Sequence, residues 1–136
     1  MATAAPQVFF RCLIVDDADF HRVGLERVIK KTAEECQCPC ICDCVESGPE
    51  ALKMCSQHDY NIIILDYHMG DMNGAEAAKR ILALRPGCHI IGFTASQEHF
   101  NDCLNAGMRE VYPKDWIRVK EAIKKLMKPS ARTSIG

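Results

Sequence analysis

The chain has 136 residues, 48% apolar and 26% charged, which is the size and balance of one domain with a real core. A net charge of −1 offers no basic field to attract phosphate backbones, which argues against a general nucleic-acid binder. No run approaches the roughly 18 apolar residues of a membrane span, and Arg11, Asp16 and Asp17 break the only candidate export signal, so a cytoplasmic protein is expected.

Residues 1–7 read as a small-residue leader, 8–128 as the domain and 129–136 as a tail. Val8–Val15 is the first predicted strand, and it ends in Asp16 and Asp17. Adjacent carboxylates suit a helix N-terminus, where the dipole favours them, or a cation site that offsets their repulsion. A helix is expected from about Ala18 to Glu35, with Leu25, Val28 and Ile29 inward and Gly24 weakening it slightly. Cys36, Cys38, Cys40, Cys42 and Cys44 then alternate strictly, and a second strand belongs at about Cys40–Val45. Alternate residues on a strand lie about 6.5–7 Å apart, beyond most disulfides, whose Cα atoms sit at about 4.4–6.8 Å. Core filler is the favoured reading of this row, with Cys36 and Cys38 the most exposed thiols; a metal or redox cluster is the rival. Nine cysteines, an odd count without an export signal, are expected to be mostly reduced.

Ser47 and Glu50 have the spacing of a capping box for a second helix running to Gln57. Ile62–Leu65, four unbroken aliphatics, predict a strand buried on both faces, and the run stops at Asp66. Asn73 and Glu76 open a third helix with Ala77, Ala78, Ile81 and Leu82 inward, and Arg85, Pro86 and Gly87 stop it. His89–Phe93 is the fourth predicted strand, leading into Thr94, Ala95 and Ser96. Ser96 is expected to cap a polar helix, Gln97–Ala106, that Gly107 ends and that has little to bury. A short fifth strand, Arg109–Tyr112, precedes Lys114, and Asp115 caps a last helix striped by Trp116, Val119, Ile123, Leu126 and Met127. The basic run Arg118, Lys120, Lys124, Lys125 and Lys128 reads as its solvated face.

Five strands alternating with five helices predict an α/β fold, a doubly wound parallel sheet covered on both faces. Ligands of such sheets sit beyond the carboxyl ends of the strands. There the chain places Asp16 and Asp17, Asp66, Thr94 and Lys114. Three carboxylates at one edge call for a hard divalent cation, best met by Mg²⁺. With the cation present, Asp66 becomes a nucleophile towards phosphorus, and Lys114 and Thr94 stabilise the added charge.

The motifs I-V-D-D at 14–17, I-I-I-L-D-Y-H-M-G-D-M-N-G at 62–74, G-F-T-A at 92–95 and A-G-M-R-E-V-Y-P-K at 106–114 resemble those of response-regulator receiver domains. The likeness covers about residues 10–127. It implies a flavodoxin-like five-stranded sheet of order 2-1-3-4-5 and a phosphoacceptor switch, not a turnover enzyme. By the same resemblance Asp66 accepts the phosphoryl group, and Mg²⁺ is bound by Asp17, Asp66 and the backbone carbonyl of His68, with Asp16 acting through water. Thr94 and Lys114 hold the phosphoryl oxygens, and His68 and Ser96 fall where phosphoryl lifetime is tuned. The implied donor is a histidine kinase or a histidine phosphotransfer protein. The implied output partner docks on the face of the fourth helix, fifth strand and fifth helix.

Three departures from the family carry expectations of their own. Gly70 replaces the usual proline, which suggests a looser loop. Lys114 precedes Asp115 and not a cis-proline, so a trans link is the default. Val111 holds the usual position of the switch aromatic, and Tyr112 beside it faces the other side of the strand, which puts the threonine–aromatic coupling in question. A phosphatase of the haloacid-dehalogenase type would need an acid where His68 stands. The remaining alternative is a receiver-like interaction module that works without phosphorylation, with a redox or metal role for the cysteine run.

Overall fold

The structure is a computed structural model that describes residues 9–127. The expected leader and tail, together with Val8 and Lys128, lie outside those residues. Five strands form one parallel sheet: β1 (Phe10–Val15), β2 (Cys40–Val45), β3 (Ile62–Leu65), β4 (Ile90–Phe93) and β5 (Glu110–Tyr112). Their order is β2-β1-β3-β4-β5, as the family resemblance implies. Five helices alternate with them: α1 (Asp19–Glu35), α2 (Gly48–Gln57), α3 (Gly74–Leu84), α4 (Phe100–Asn105) and α5 (Trp116–Met127).

The apolar runs are unbroken because both sheet faces are covered. Leu13, Val15, Ile63 and Leu65 point into a core shared with Ala51 and Cys55 of α2 and with Ala77, Ala78 and Ile81 of α3. Their neighbours Cys12, Ile14, Ile62 and Ile64 point the other way, against Leu25 and Ile29 of α1 and Val119 and Ile123 of α5. Expected caps hold these helices. Ser47 Oγ accepts from Glu50 N at 3.3 Å, Asn73 Oδ1 from Glu76 N at 2.9 Å, and Asp115 Oδ1 from Ile117 N at 3.0 Å.

Several expectations need correction. Ser96 makes no cap; its Oγ donates to Glu98 Oε1 at 3.3 Å. A 3-10 turn, Gln97–His99, replaces the helix start, and α4 has only six residues. Within α4 only Cys103 is buried, too little apolar surface to hold a longer helix in place. Leu126 is 38% exposed despite its place on the α5 stripe, and helical spacing does not explain it. Gly24 is a packing residue: a Cβ there would lie 2.5 Å from Trp116 Cη2, so glycine lets α5 close against α1. Gly70 has φ +70°, so the loop after β3 makes a turn that favours glycine.

The cysteine row fits the filler reading except at Cys44. Cys36, Cys38, Cys40 and Cys42 are half-buried against the α1–α5 side of the core. The exposed thiol is Cys44, not Cys36 or Cys38. Since β2 is the sheet's edge strand, no further strand among the described residues shelters its outer side. All nine cysteines are free.

Candidate functional site

The chain runs from β1 out to β2 and then crosses back to β3, so the connections reverse direction between β1 and β3. Such a switch point opens a crevice at the carboxyl ends of the two strands. Val15 and Leu65 are register partners, and Asp66 N donates to Val15 O at 3.0 Å. The residues that follow, Asp16 and Asp66, are therefore brought side by side. Both are buried, at 1% and 7% exposure.

Each carboxylate is fixed locally. Asp16 Oδ1 accepts from Ala18 N at 2.9 Å, and Arg22 Nη1 donates to the Asp16 carbonyl at 2.7 Å. Asp66 Oδ1 accepts from Tyr67 N at 2.7 Å. The loop after Asp66 then folds back tightly, with Gly74 N donating to Tyr67 O at 2.7 Å. A Cβ on Gly74 would strike the Asp66 carbonyl and Tyr67 Cα, so glycine is required for this approach.

Lys114 reaches in from the end of β5. Its Nζ donates to Asp16 Oδ2 at 2.7 Å, lies 3.5 Å from Asp66 Oδ2, and sits 4.5 Å from the centroid of the Phe93 ring. All peptide bonds among the described residues are trans, so this reach needs no cis link after Lys114. One ammonium between two carboxylates leaves net negative charge in a buried place. Burial raises the Asp66 pKa above the usual carboxylate value and Asp16 adds to the rise, while Lys114 and the Tyr67 N–H oppose it. Two buried oxygen ligands, incompletely neutralised, are a good fit for a hard cation such as Mg²⁺.

His21 belongs to the same cluster, and nothing in the sequence marked it. Its Nδ1 lies 3.1 Å from Lys114 Nζ and 3.2 Å from Asp16 Oδ2. Asp16, His21 and Asp66 offer ligand atoms within 4.8 Å of one another. Only its position one turn into α1 could have pointed to it. Asp17 is exposed and stands outside this group of three.

Thr94 is buried at the end of β4. Its Oγ1 accepts from Ser96 N at 3.3 Å, and its N–H donates to Tyr112 O at 3.0 Å. Val111 packs with the core under α2 and α3, and Tyr112 with the core under α1 and α5, so the two face opposite sides as strand alternation requires. His68 is exposed at the mouth. Tyr67 stacks on His99 at 4.0 Å between centroids, and His68 meets both rings edge-on. These rings tie the loop after β3 to the turn before α4.

A nucleophilic thiol would need thiolate character. Contact with Cys12 and burial instead push Cys42 upward, and contact with Cys42 and burial push Cys44 upward, which disfavours that state.

The sequence matches the model of the response regulator receiver domain over residues 12–127. It is 33% identical over 122 residues to the chemotaxis protein CheY of Thermotoga maritima, covering 87% of this chain and 98% of that protein. The crystal structure of the response regulator TrrA of T. maritima, in complex with Mg²⁺ and BeF, superposes with a TM-score of 0.71. That similarity has 31% identity and covers 85% of this chain and 97% of that one. A chain of the CheX–CheY–BeF₃–Mg²⁺ complex of Borrelia burgdorferi superposes at 0.72 with 25% identity, covering 88% and 90% of the two chains.

Proposed function

The chain belongs to the response regulator receiver family, and from that membership we propose that Asp66 is the residue it phosphorylates. A receiver is a phosphoacceptor switch and not a turnover enzyme. The observation that carries the assignment is the buried pair Asp16 and Asp66, bridged by one Lys114 ammonium at the switch point of the sheet.

In the proposed reaction an Asp66 oxygen attacks the phosphorus of a phosphohistidine on a histidine kinase or phosphotransfer protein. The P–N bond breaks, the electron pair leaves with the imidazole, and an acyl phosphate forms. Mg²⁺ held by Asp16, Asp17, Asp66 and the His68 carbonyl would supply the positive charge that lets carboxylates and phosphoryl oxygens share this site. Lys114 turns from Asp16 towards the phosphoryl group and stabilises its oxygens. The Thr94 hydroxyl, which now accepts from Ser96 N, keeps a proton to donate to the same group. His68 and Ser96 stand at the mouth and govern the access of water, and so the lifetime of the phosphate.

Once Thr94 moves, its N–H bond to Tyr112 carries the change into β5. The face made by α4, β5 and α5 would then select a downstream protein. The working unit is the stretch 8–128, acting in the cytoplasm where a kinase donor is found. Among the described residues no helix is long and apolar enough to cross a membrane. Incubation with acetyl phosphate and Mg²⁺ should add one hydroxylamine-sensitive phosphate per chain. If Asp66→Asn takes up phosphate as well as the parent protein does, the assignment is wrong.

A further inference from the structure

The proposed switch leaves the alternating thiols of β2 without a role. Three observations separate two of them from packing. Cys44 is exposed, and Cys42, though packed against the α1–α5 side of the core, is only half-buried. The Cys42 and Cys44 sulfurs and a Glu26 carboxylate oxygen all lie within 4.8 Å of one another, the carboxylate reaching across from α1. Behind them Cys12 is the β1 register partner of Cys42, fully buried on the same face of the sheet and in thiol contact with it. A row of filler cysteines gives no reason for a carboxylate to join the sulfurs.

We propose that Cys42, Cys44 and Glu26 form a binding site for a thiophilic divalent cation of the Zn²⁺ class. Two sulfurs and one oxygen suit this borderline-soft ion, which accepts both donor types in tetrahedral sites. They do not suit Mg²⁺, which requires oxygen ligands, so this site and the acidic crevice select different metals. Among the described residues the group offers no fourth protein donor, and its Cys44 is exposed to solvent. Such a three-donor site leaves its fourth position to water, unlike a closed four-cysteine structural site.

On binding, Cys42 and Cys44 each lose a proton to solvent and form a metal–sulfur bond. Two thiolates and a carboxylate around the dication leave one net negative charge. Lys30, 3.4 Å from Glu26 Oε2, lies beside that charge, and so does Arg22, whose positive charge acts on Cys44. Cys12 holds Cys42 from behind as a positioning residue. A Cys42–Cys44 bridge is disfavoured by the span of about 6.5–7 Å between alternate strand residues.

The test uses the whole protein, reduced and treated with chelator, and titrated with Co²⁺ and then Zn²⁺. Co²⁺ should bind at one equivalent per chain with thiolate-to-metal charge-transfer absorption, and Zn²⁺ should displace it. Cys44→Ser, at an exposed position, should keep its circular dichroism and lose affinity by at least about tenfold, as loss of a supporting group alone can cause. Glu26→Gln should weaken binding while keeping the charge-transfer bands. Cys38→Ser and Asp66→Asn should bind as the parent does, the second separating this site from the acidic crevice. Unchanged affinity in Cys44→Ser, equal weakening in Cys38→Ser, or absent charge-transfer bands would overturn the proposal. So would a Cys12–Cys42 disulfide found by peptide mapping of the unreduced, metal-free protein.

Discussion

Replacing Lys114 with methionine keeps the bulk of the side chain and removes the charge between Asp16 and Asp66. At an effective dielectric of about 20, a unit pair at the observed 2.7 Å attracts by about 6 kcal/mol, and one at 3.5 Å by about 5 kcal/mol. Desolvation of the ammonium and repulsion between the carboxylates offset much of this. Removing one partner of a buried pair costs about 3–5 kcal/mol. The Lys114 side chain is 18% exposed, so the lower end applies, about 3 kcal/mol. At about 4 °C per kcal/mol for a domain of this size, Tm should fall by about 12 °C. Urea unfolding followed by the fluorescence of Trp116 would measure the loss directly. Millimolar Mg²⁺ should restore most of it, because the stranded carboxylates then have another cation. Adding Asp66→Asn should also recover much of the loss, since only one buried carboxylate would remain. A loss below about 1 kcal/mol, or one indifferent to Mg²⁺, would refute the argument that the crevice is under-neutralised.

Three further outcomes follow from specific contacts. Gly24→Ala should destabilise by about 1–3 kcal/mol despite the better helix former, because its Cβ meets the rigid Trp116 ring; chemical denaturation should show Trp116→Leu relieving it. Gly74→Ala should be more damaging, since its Cβ meets backbone at Asp66 and Tyr67; thermal melts should show a lowered Tm and acetyl phosphate labelling a slowed uptake. His89 has its pKa lowered by burial and then by Arg109, so folding resists its protonation. Its contribution is full above the unfolded value of about 6.5 and is lost as pH falls through the lower folded value. His89→Gln should therefore flatten the acid side of the stability curve, read from urea midpoints at several pH values, and leave the alkaline side parallel.

The elements most legible in the sequence were those governed by local periodicity. The four aliphatics before Asp66 announced a strand buried on both faces, and the cap pairs at Ser47 and Asn73 marked helix starts. Alternation along β5 was enough to place Val111 and Tyr112 on opposite sides. The fourth helix is shorter than its sequence suggests because a serine at the right spacing need not cap; here the Ser96 hydroxyl binds Glu98, and Cys103 is the one buried residue of the short helix.

Asp16, Asp66, Thr94 and Lys114 were visible as a set because each ends a strand, and parallel strands bring their carboxyl ends to one edge. That much follows from the order of residues alone, together with the family to which the motifs belong. The fold then decided how the set is wired. It added His21 to the crevice, left Asp17 exposed, gave Gly24 to Trp116, and carried Glu26 across to Cys42 and Cys44. Each of these joins groups on separate elements or sets the direction of a side chain at a loop. Hydrophobic period and capping act over a few residues and carry no record of such distances, so only packing of the whole chain could choose them.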